Sequence, residues 1–170
     1  MKIVLVEDRP WKLKRSIQEI RDRGIDLDDL IYVCWNENFV DDQTKKSLEN
    51  LRSDIEGLKI SITDNEHFET VAQEFYDQPQ YLILSDFNLT GDDREYFEKR
   101  ANVAFARKIM DKETKKPSSR MWFYTTAGEA TNEQINNAFP GRNISVLKME
   151  EEQVILDVDE IERAVQMQNE

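Results

Sequence analysis

Short apolar runs alternate along the chain with segments whose apolar residues recur every three or four positions. The runs are typical of buried strands, and the periodic segments are typical of amphipathic helices. Four of the runs end on polar residues, namely Lys2–Asp8, Tyr81–Asp86, Met121–Ala127 and Ile144–Lys148. Strands that alternate with helices predict a doubly wound α/β fold, in which a parallel sheet has helices on both faces. The carboxyl ends of the strands in such a sheet form the edge where ligands bind.

Turn and cap residues mark the ends of the predicted helices. The first helix begins near Pro10 and ends before Gly24, in agreement with the positions that proline and glycine favour at helix ends. His67, the only histidine, lies at the start of a later helix, where we expect an exposed side chain rather than a metal ligand. Further periodic segments cover 67–76, 96–110, 132–139 and 157–168. We expect the 170 residues to form a single domain, 1–170.

The stretch before the third predicted strand is longer than the fold requires. From Asp8 to Asp86 the chain has about 30 residues more than a helix, a strand, a second helix and their loops need. Two runs compete for the second strand, a continuous apolar run at 30–35 and an alternating run at 59–64. We favour 59–64 as the second strand and 28–57 as an insertion before the third strand, and the reverse assignment remains open.

The composition argues against several classes of partner. Lys and Arg number 23 and Asp and Glu number 35, so the net charge is −12. Phosphate backbones and anionic membranes repel such a chain, and we expect no direct binding to nucleic acid or membranes. The single cysteine, Cys34, rules out an internal disulfide and fits a reducing compartment. Because no apolar stretch approaches the roughly 20 residues of a spanning helix, we expect a cytoplasmic protein.

The polar residues at the strand ends follow a recognisable order. Glu7 and Asp8 close the first strand, and Asp86 closes the third predicted one. Thr126 and Lys148, 22 positions apart, end the next two strands. This order and spacing resemble the phosphoacceptor site of response-regulator receiver domains, and the resemblance covers the whole chain. It implies a five-stranded parallel sheet of order 2-1-3-4-5.

The resemblance also implies a role for each residue. Asp86 would be the phosphoacceptor, a carboxylate nucleophile that takes a phosphoryl group from a histidine kinase or a phosphotransfer protein. Thr126 and Lys148 would contact the phosphoryl oxygens. The groups that correspond to the family's Mg²⁺ ligands are Glu7, Asp8, Asp86 and the backbone carbonyl of Asn88. Because no effector domain follows the last predicted helix, the output would be binding to a downstream protein effector.

Several positions depart from the family pattern and keep other hypotheses open. Met149 replaces a proline, Ser145 replaces an aromatic residue, and Gly128 offers no side chain two residues after the threonine. A pseudo-receiver that is never phosphorylated and acts as a constitutive interaction module is one alternative. A phosphohydrolase of the haloacid-dehalogenase type is another, but it needs an acid two residues after Asp8, where Pro10 stands. We expect a signalling protein whose only chemistry is its own phosphorylation and dephosphorylation.

Overall fold

The computed structural model describes residues 1–34, 36–89, 100–112, 120–125, 129–141, 146–148 and 157–168. The strands are β1 (Lys2–Glu7), β2 (Asp26–Cys34), β3 (Lys59–Asp64), β4 (Tyr81–Asp86), β5 (Met121–Thr125) and β6 (Val146–Lys148). The helices are α1 (Lys14–Asp22), α2 (Asp42–Asp54), α3 (Phe68–Tyr76), α4 (Ala101–Lys112), α5 (Glu129–Ala138) and α6 (Val158–Gln168). Short 3₁₀ helices cover Pro10–Leu13 and Glu37–Phe39.

All described strands run parallel in one sheet of order β3-β2-β1-β4-β5-β6. The doubly wound α/β fold is therefore confirmed. The inner order β2-β1-β4-β5-β6 corresponds to the predicted order 2-1-3-4-5, and β3 is an additional strand at the edge. Within the described residues the sheet thus has six strands rather than five.

The preferred assignment of 59–64 as the second strand is wrong. The neighbour of β1 is β2, with Leu5 beside Leu30 and Val6 beside Ile31. The predicted insertion, 28–57, consequently contains most of the second strand, and the surplus unit consists of α2 and β3. Burial explains why 26–34 and not 59–64 pairs with β1. The strand β2 lies between two strands and is buried along most of its length, whereas β3 is largely half-buried at the edge of the sheet.

The inner strands β1, β2 and β4 bury side chains on both faces. In β1, Ile3 and Leu5 pack with the helices α1, α2 and α6, whereas Val4 and Val6 pack with α3, α4 and α5. All four side chains are 0% exposed. Burying an aliphatic side chain of this size stabilises the fold by about 1.5–3 kcal/mol. With both faces filled by apolar groups, polar groups of the inner strands are restricted mainly to their ends.

The first helix confirms its predicted boundaries. Pro10 opens the 3₁₀ turn that leads into α1, and Gly24 follows the helix with a φ of 77°, a left-handed conformation that glycine adopts most easily. The apolar positions Leu13, Ile17 and Ile20 are fully buried. Among the described helices, none is both long and apolar enough to cross a membrane.

Candidate functional site

Carboxylates converge where two neighbouring strands end. Glu7 is the last residue of β1 and Asp8 follows it, while Asp86 is the last residue of β4, which pairs with β1. One carboxylate oxygen from each of these residues lies within 4.8 Å of the others. Glu7 is 3% exposed and Asp8 is 7% exposed, whereas Asp86 is partly open to solvent. The structure thus brings together the three side chains that the sequence suggested as metal ligands.

Protein donors hold the Glu7 carboxylate in place. Its Oε1 accepts hydrogen bonds from the backbone N–H groups of Asp8 and Arg9, each at 2.9 Å. Its Oε2 accepts a hydrogen bond from the Tyr124 hydroxyl at 2.7 Å. The same hydroxyl lies 3.2 Å from the carbonyl oxygen of Val6. The side chain of Glu7 is therefore fixed between the end of its own strand and β5.

A second set of hydrogen bonds fixes Asp86. Its Oδ1 accepts the backbone N–H of Asn88 at 2.9 Å, and its carbonyl oxygen accepts the side-chain amide of Asn102 at 2.7 Å. The same amide of Asn102, a residue of α4 that is 0% exposed, lies 3.1 Å from Ser85 Oγ. Asn88 in turn donates from its side chain to Thr125 Oγ1 at 3.3 Å. The turn after β4 is thereby tied to both α4 and β5.

The clustered carboxylates disfavour one another's ionised forms. Burial raises the pKa of Glu7 well above its usual range, and the charge on Asp86 raises it further. Burial also raises the pKa of Asp86 to about 7, although the N–H of Asn88 opposes this shift. Burial keeps the pKa of Tyr124 far above neutral, so its hydroxyl stays a donor. A cation bound among these groups would relieve the repulsion and favour the ionised carboxylates.

The donor set fits Mg²⁺. This ion prefers hard oxygen ligands, binds through a small number of carboxylates and retains several waters. Glu7, Asp8 and Asp86 supply the carboxylates, and Asp86 is partly open to solvent.

The other predicted site residues lie around this cluster or outside the described part of the chain. Asn88 belongs to the turn that holds Asp86, and its backbone carbonyl remains a predicted ligand. Lys148 is the last residue of β6, and its backbone pairs with Thr125 at the carboxyl end of β5. The positions that fall outside the described residues are Thr126, Gly128, Ser145 and Met149.

A positively charged side chain also lies near the cluster. The guanidinium of Arg100 stacks on the ring of Phe87, with Cζ 4.8 Å from the ring centroid. Burial lowers the pKa of Arg100, and the charge on Asp86 opposes that shift. Arg100 therefore adds positive charge near Asp86.

The sequence patterns do not place Tyr124 or Asn102 at the carboxylate site. Tyr124 lies in an apolar strand and contacts a carboxylate 117 positions earlier in the chain, so only the strand order brings the two together. Asn102 lies among the apolar residues of its helix and is 0% exposed. A polar residue on the buried face of a predicted helix indicates a side chain that needs a hydrogen-bond partner in the core.

Comparison of the chain with protein-family models, with curated proteins and with solved structures found no match. The function must therefore be argued from the fold and the chemistry of the site.

Proposed function

We propose that the chain is a phosphoacceptor receiver domain of a two-component system or phosphorelay, phosphorylated on Asp86 in a Mg²⁺-dependent reaction. The observation that carries the proposal is the convergence of Glu7, Asp8 and Asp86 at the carboxyl ends of β1 and β4. The inner strand order supports it, since this order places the ends of β1, β4 and β5 side by side.

The proposed step is a phosphoryl transfer from a phosphohistidine of a histidine kinase or phosphotransfer protein. A carboxylate oxygen of Asp86 forms a bond to phosphorus while the phosphorus–nitrogen bond of the donor breaks. The electron pair remains on the imidazole nitrogen, which then takes up a proton. The nucleophile must be ionised, and without a cation the pKa of Asp86 is about 7.

The chain's own residues prepare Asp86 for this step. Asn102 fixes the carbonyl of Asp86, and the N–H of Asn88 orients its carboxylate. Tyr124 holds Glu7 toward the same site. When bound by the carboxylates, Mg²⁺ would offset their charge and that of the phosphoryl oxygens. Thr126 and Lys148 are the proposed contacts of the phosphoryl group.

The remaining parts of the proposal concern partners and location. We propose that phosphorylation shifts the chain between two conformations and that a downstream protein effector binds one of them. The net charge of −12 supports protein partners over nucleic acid or membranes. The single cysteine supports a cytoplasmic location.

One observation favours the second candidate, a pseudo-receiver that binds partners without being phosphorylated. The backbone N–H groups and the Tyr124 hydroxyl already supply donors to both oxygens of Glu7. A carboxylate satisfied in this way has less need of a metal ion, as would be expected of a site that has a purely structural role.

Binding of beryllofluoride, a mimic of the phosphoryl group, separates the two candidates. The phosphoacceptor proposal predicts that beryllofluoride and Mg²⁺ together raise the unfolding midpoint of the wild type. When the free ligand concentration is a hundred times the dissociation constant, the unfolding free energy rises by about 2.7 kcal/mol. For a domain of this size, the unfolding midpoint then rises by roughly 5–11 °C.

Two variants make this experiment specific. Asp86→Asn should abolish the response. Asp29→Asn should retain it, because Asp29 is also buried but bonds to Tyr81 in another part of the fold. A wild type that does not respond favours the pseudo-receiver, and a full response in Asp86→Asn contradicts the assigned acceptor.

A further inference from the structure

A second cluster of metal-binding side-chain types lies at the carboxyl ends of β2 and β3. Asp64 is the last residue of β3, His67 precedes α3, and Glu37 begins the 3₁₀ helix after β2. One ligand atom from each residue lies within 4.8 Å of the other two. This set differs from the carboxylates of the first site because it includes an imidazole nitrogen.

We propose that Glu37, Asp64 and His67 form a binding site for a divalent transition-metal ion of the Zn²⁺ type. Imidazole and carboxylate together suit such an ion, whereas a site made only of oxygen ligands suits Mg²⁺. The chain would then hold two cation sites of different preference along the same edge of the sheet.

The distances within the cluster are close to those of a tetrahedral site. His67 Nδ1 lies 2.8 Å from Asp64 Oδ1 and 3.8 Å from Glu37 Oε1. Zinc bonds of about 2.0–2.2 Å at tetrahedral angles place ligand atoms roughly 3.3–3.6 Å apart. The observed separations fall on either side of this value, so shifts of about half an ångström would accommodate the ion. The ion would replace the proton shared by His67 and Asp64.

The backbone around the cluster already connects its members. Asp64 Oδ1 accepts the backbone N–H of His67 at 3.0 Å, and its Oδ2 lies 3.5 Å from the backbone N–H of Glu37. The Asp64 side chain is 11% exposed, that of Glu37 35% and that of His67 52%. Asp64 is therefore the buried member of the cluster, and the more exposed Glu37 and His67 would let an ion enter from solvent. A water molecule could then complete its coordination.

An unsatisfied polar atom lies in the same turn of the chain. Asn65, which stands between two members of the cluster, buries its side-chain Oδ1 without a hydrogen-bond partner in the described part of the chain. Buried acceptors are nearly always satisfied, and an orphaned one commonly marks a bound water or ion.

The chain's single histidine allows a direct test. The full chain, untagged and labelled with ¹⁵N, is titrated with Zn²⁺ in excess Mg²⁺, which is added to compete for the carboxylates Glu7, Asp8 and Asp86. The imidazole nitrogen resonances of His67 are followed. We expect the Nδ1 resonance to move to a new position that saturates at one equivalent of Zn²⁺, while Mg²⁺ alone leaves it unchanged.

Two glutamate variants identify the ligands. Glu37→Gln removes a proposed ligand from the short 3₁₀ helix after β2 and should weaken Zn²⁺ binding at least tenfold. Glu66→Gln removes a nearby charge that does not belong to the cluster and should bind as the wild type does. An Nδ1 resonance unmoved by Zn²⁺ in the wild type overturns the proposal. Equal affinity of the two variants also overturns it, since His67 would then be binding without Glu37.

Discussion

Removing the Tyr124 hydroxyl tests whether the buried carboxylate cluster is organised by β5. Tyr124→Phe keeps the ring, which is 1% exposed and packs with the apolar core, so the change leaves no large cavity. It removes the donor that lies 2.7 Å from Glu7 Oε2. Glu7 then keeps its two backbone donors on Oε1 and loses its hydroxyl donor on Oε2.

The expected loss of stability follows from the type of hydrogen bond. A buried acceptor that loses its donor costs about 1–3 kcal/mol, and here Glu7 Oε2 stays behind in the core. For a domain of this size the midpoint of thermal unfolding should fall by roughly 2–12 °C. The hydrogen bond from Tyr124 also lowers the pKa of Glu7, so its loss favours the protonated carboxyl. Mg²⁺ must displace that proton, and its affinity should fall about tenfold or more at neutral pH.

Calorimetric titration with Mg²⁺ and thermal unfolding measure the two effects on the same samples. Tyr81→Phe is the matched control, because Tyr81 donates to Asp29 at 2.9 Å at a partly buried position on another part of the sheet. The control should lose stability and keep its Mg²⁺ affinity. If Tyr124→Phe matched the wild type in both measurements, the hydroxyl would have no part in organising the site.

Two further predictions follow from the hydrogen bonds and charges at Asp86. Because the pKa of Asp86 is raised to about 7 from about 3.9 in the unfolded chain, the metal-free protein should lose stability as the pH rises through that window, by on the order of 2–4 kcal/mol. The unfolding free energy, measured in urea at pH 5 and pH 8, should fall less between these pH values in Asp86→Asn than in the wild type. An equal fall in both proteins would refute the attribution of the pH dependence to Asp86. Asn102→Ala leaves the Asp86 carbonyl without its side-chain donor and should lower the unfolding free energy by about 1–3 kcal/mol in urea, whereas a loss below about 0.5 kcal/mol would contradict the proposed positioning role.

The fold class and the convergence of the acids could be predicted because both depend on local patterns. Buried strands that end on polar residues indicate a parallel sheet with a polar carboxyl edge. Glu7, Asp8 and Asp86 occur at such ends, and any order that places β1 beside β4 brings them together. Their hydrogen-bond partners come from other strands and helices, which single-sequence patterns do not pair.

The two candidate runs for the second strand differ in their hydrophobic pattern. The run at 30–35 is continuously apolar, as expected for a strand between two others, while 59–64 alternates as an edge strand does. The second cluster depends on the same strand order. Glu37 and His67 come together only when β2 and β3 are neighbours, so the correct strand order is needed to see them as a possible site.

Covalent phosphorylation tests the central proposal most directly. The protein is incubated with acetyl phosphate and Mg²⁺, and its intact mass is measured by mass spectrometry. The proposal predicts that the wild type gains the mass of one phosphoryl group, that chelation of Mg²⁺ prevents the gain, and that Asp86→Asn shows none. An unchanged wild-type mass, or an equal gain in Asp86→Asn, would contradict the assignment of Asp86 as the phosphoacceptor.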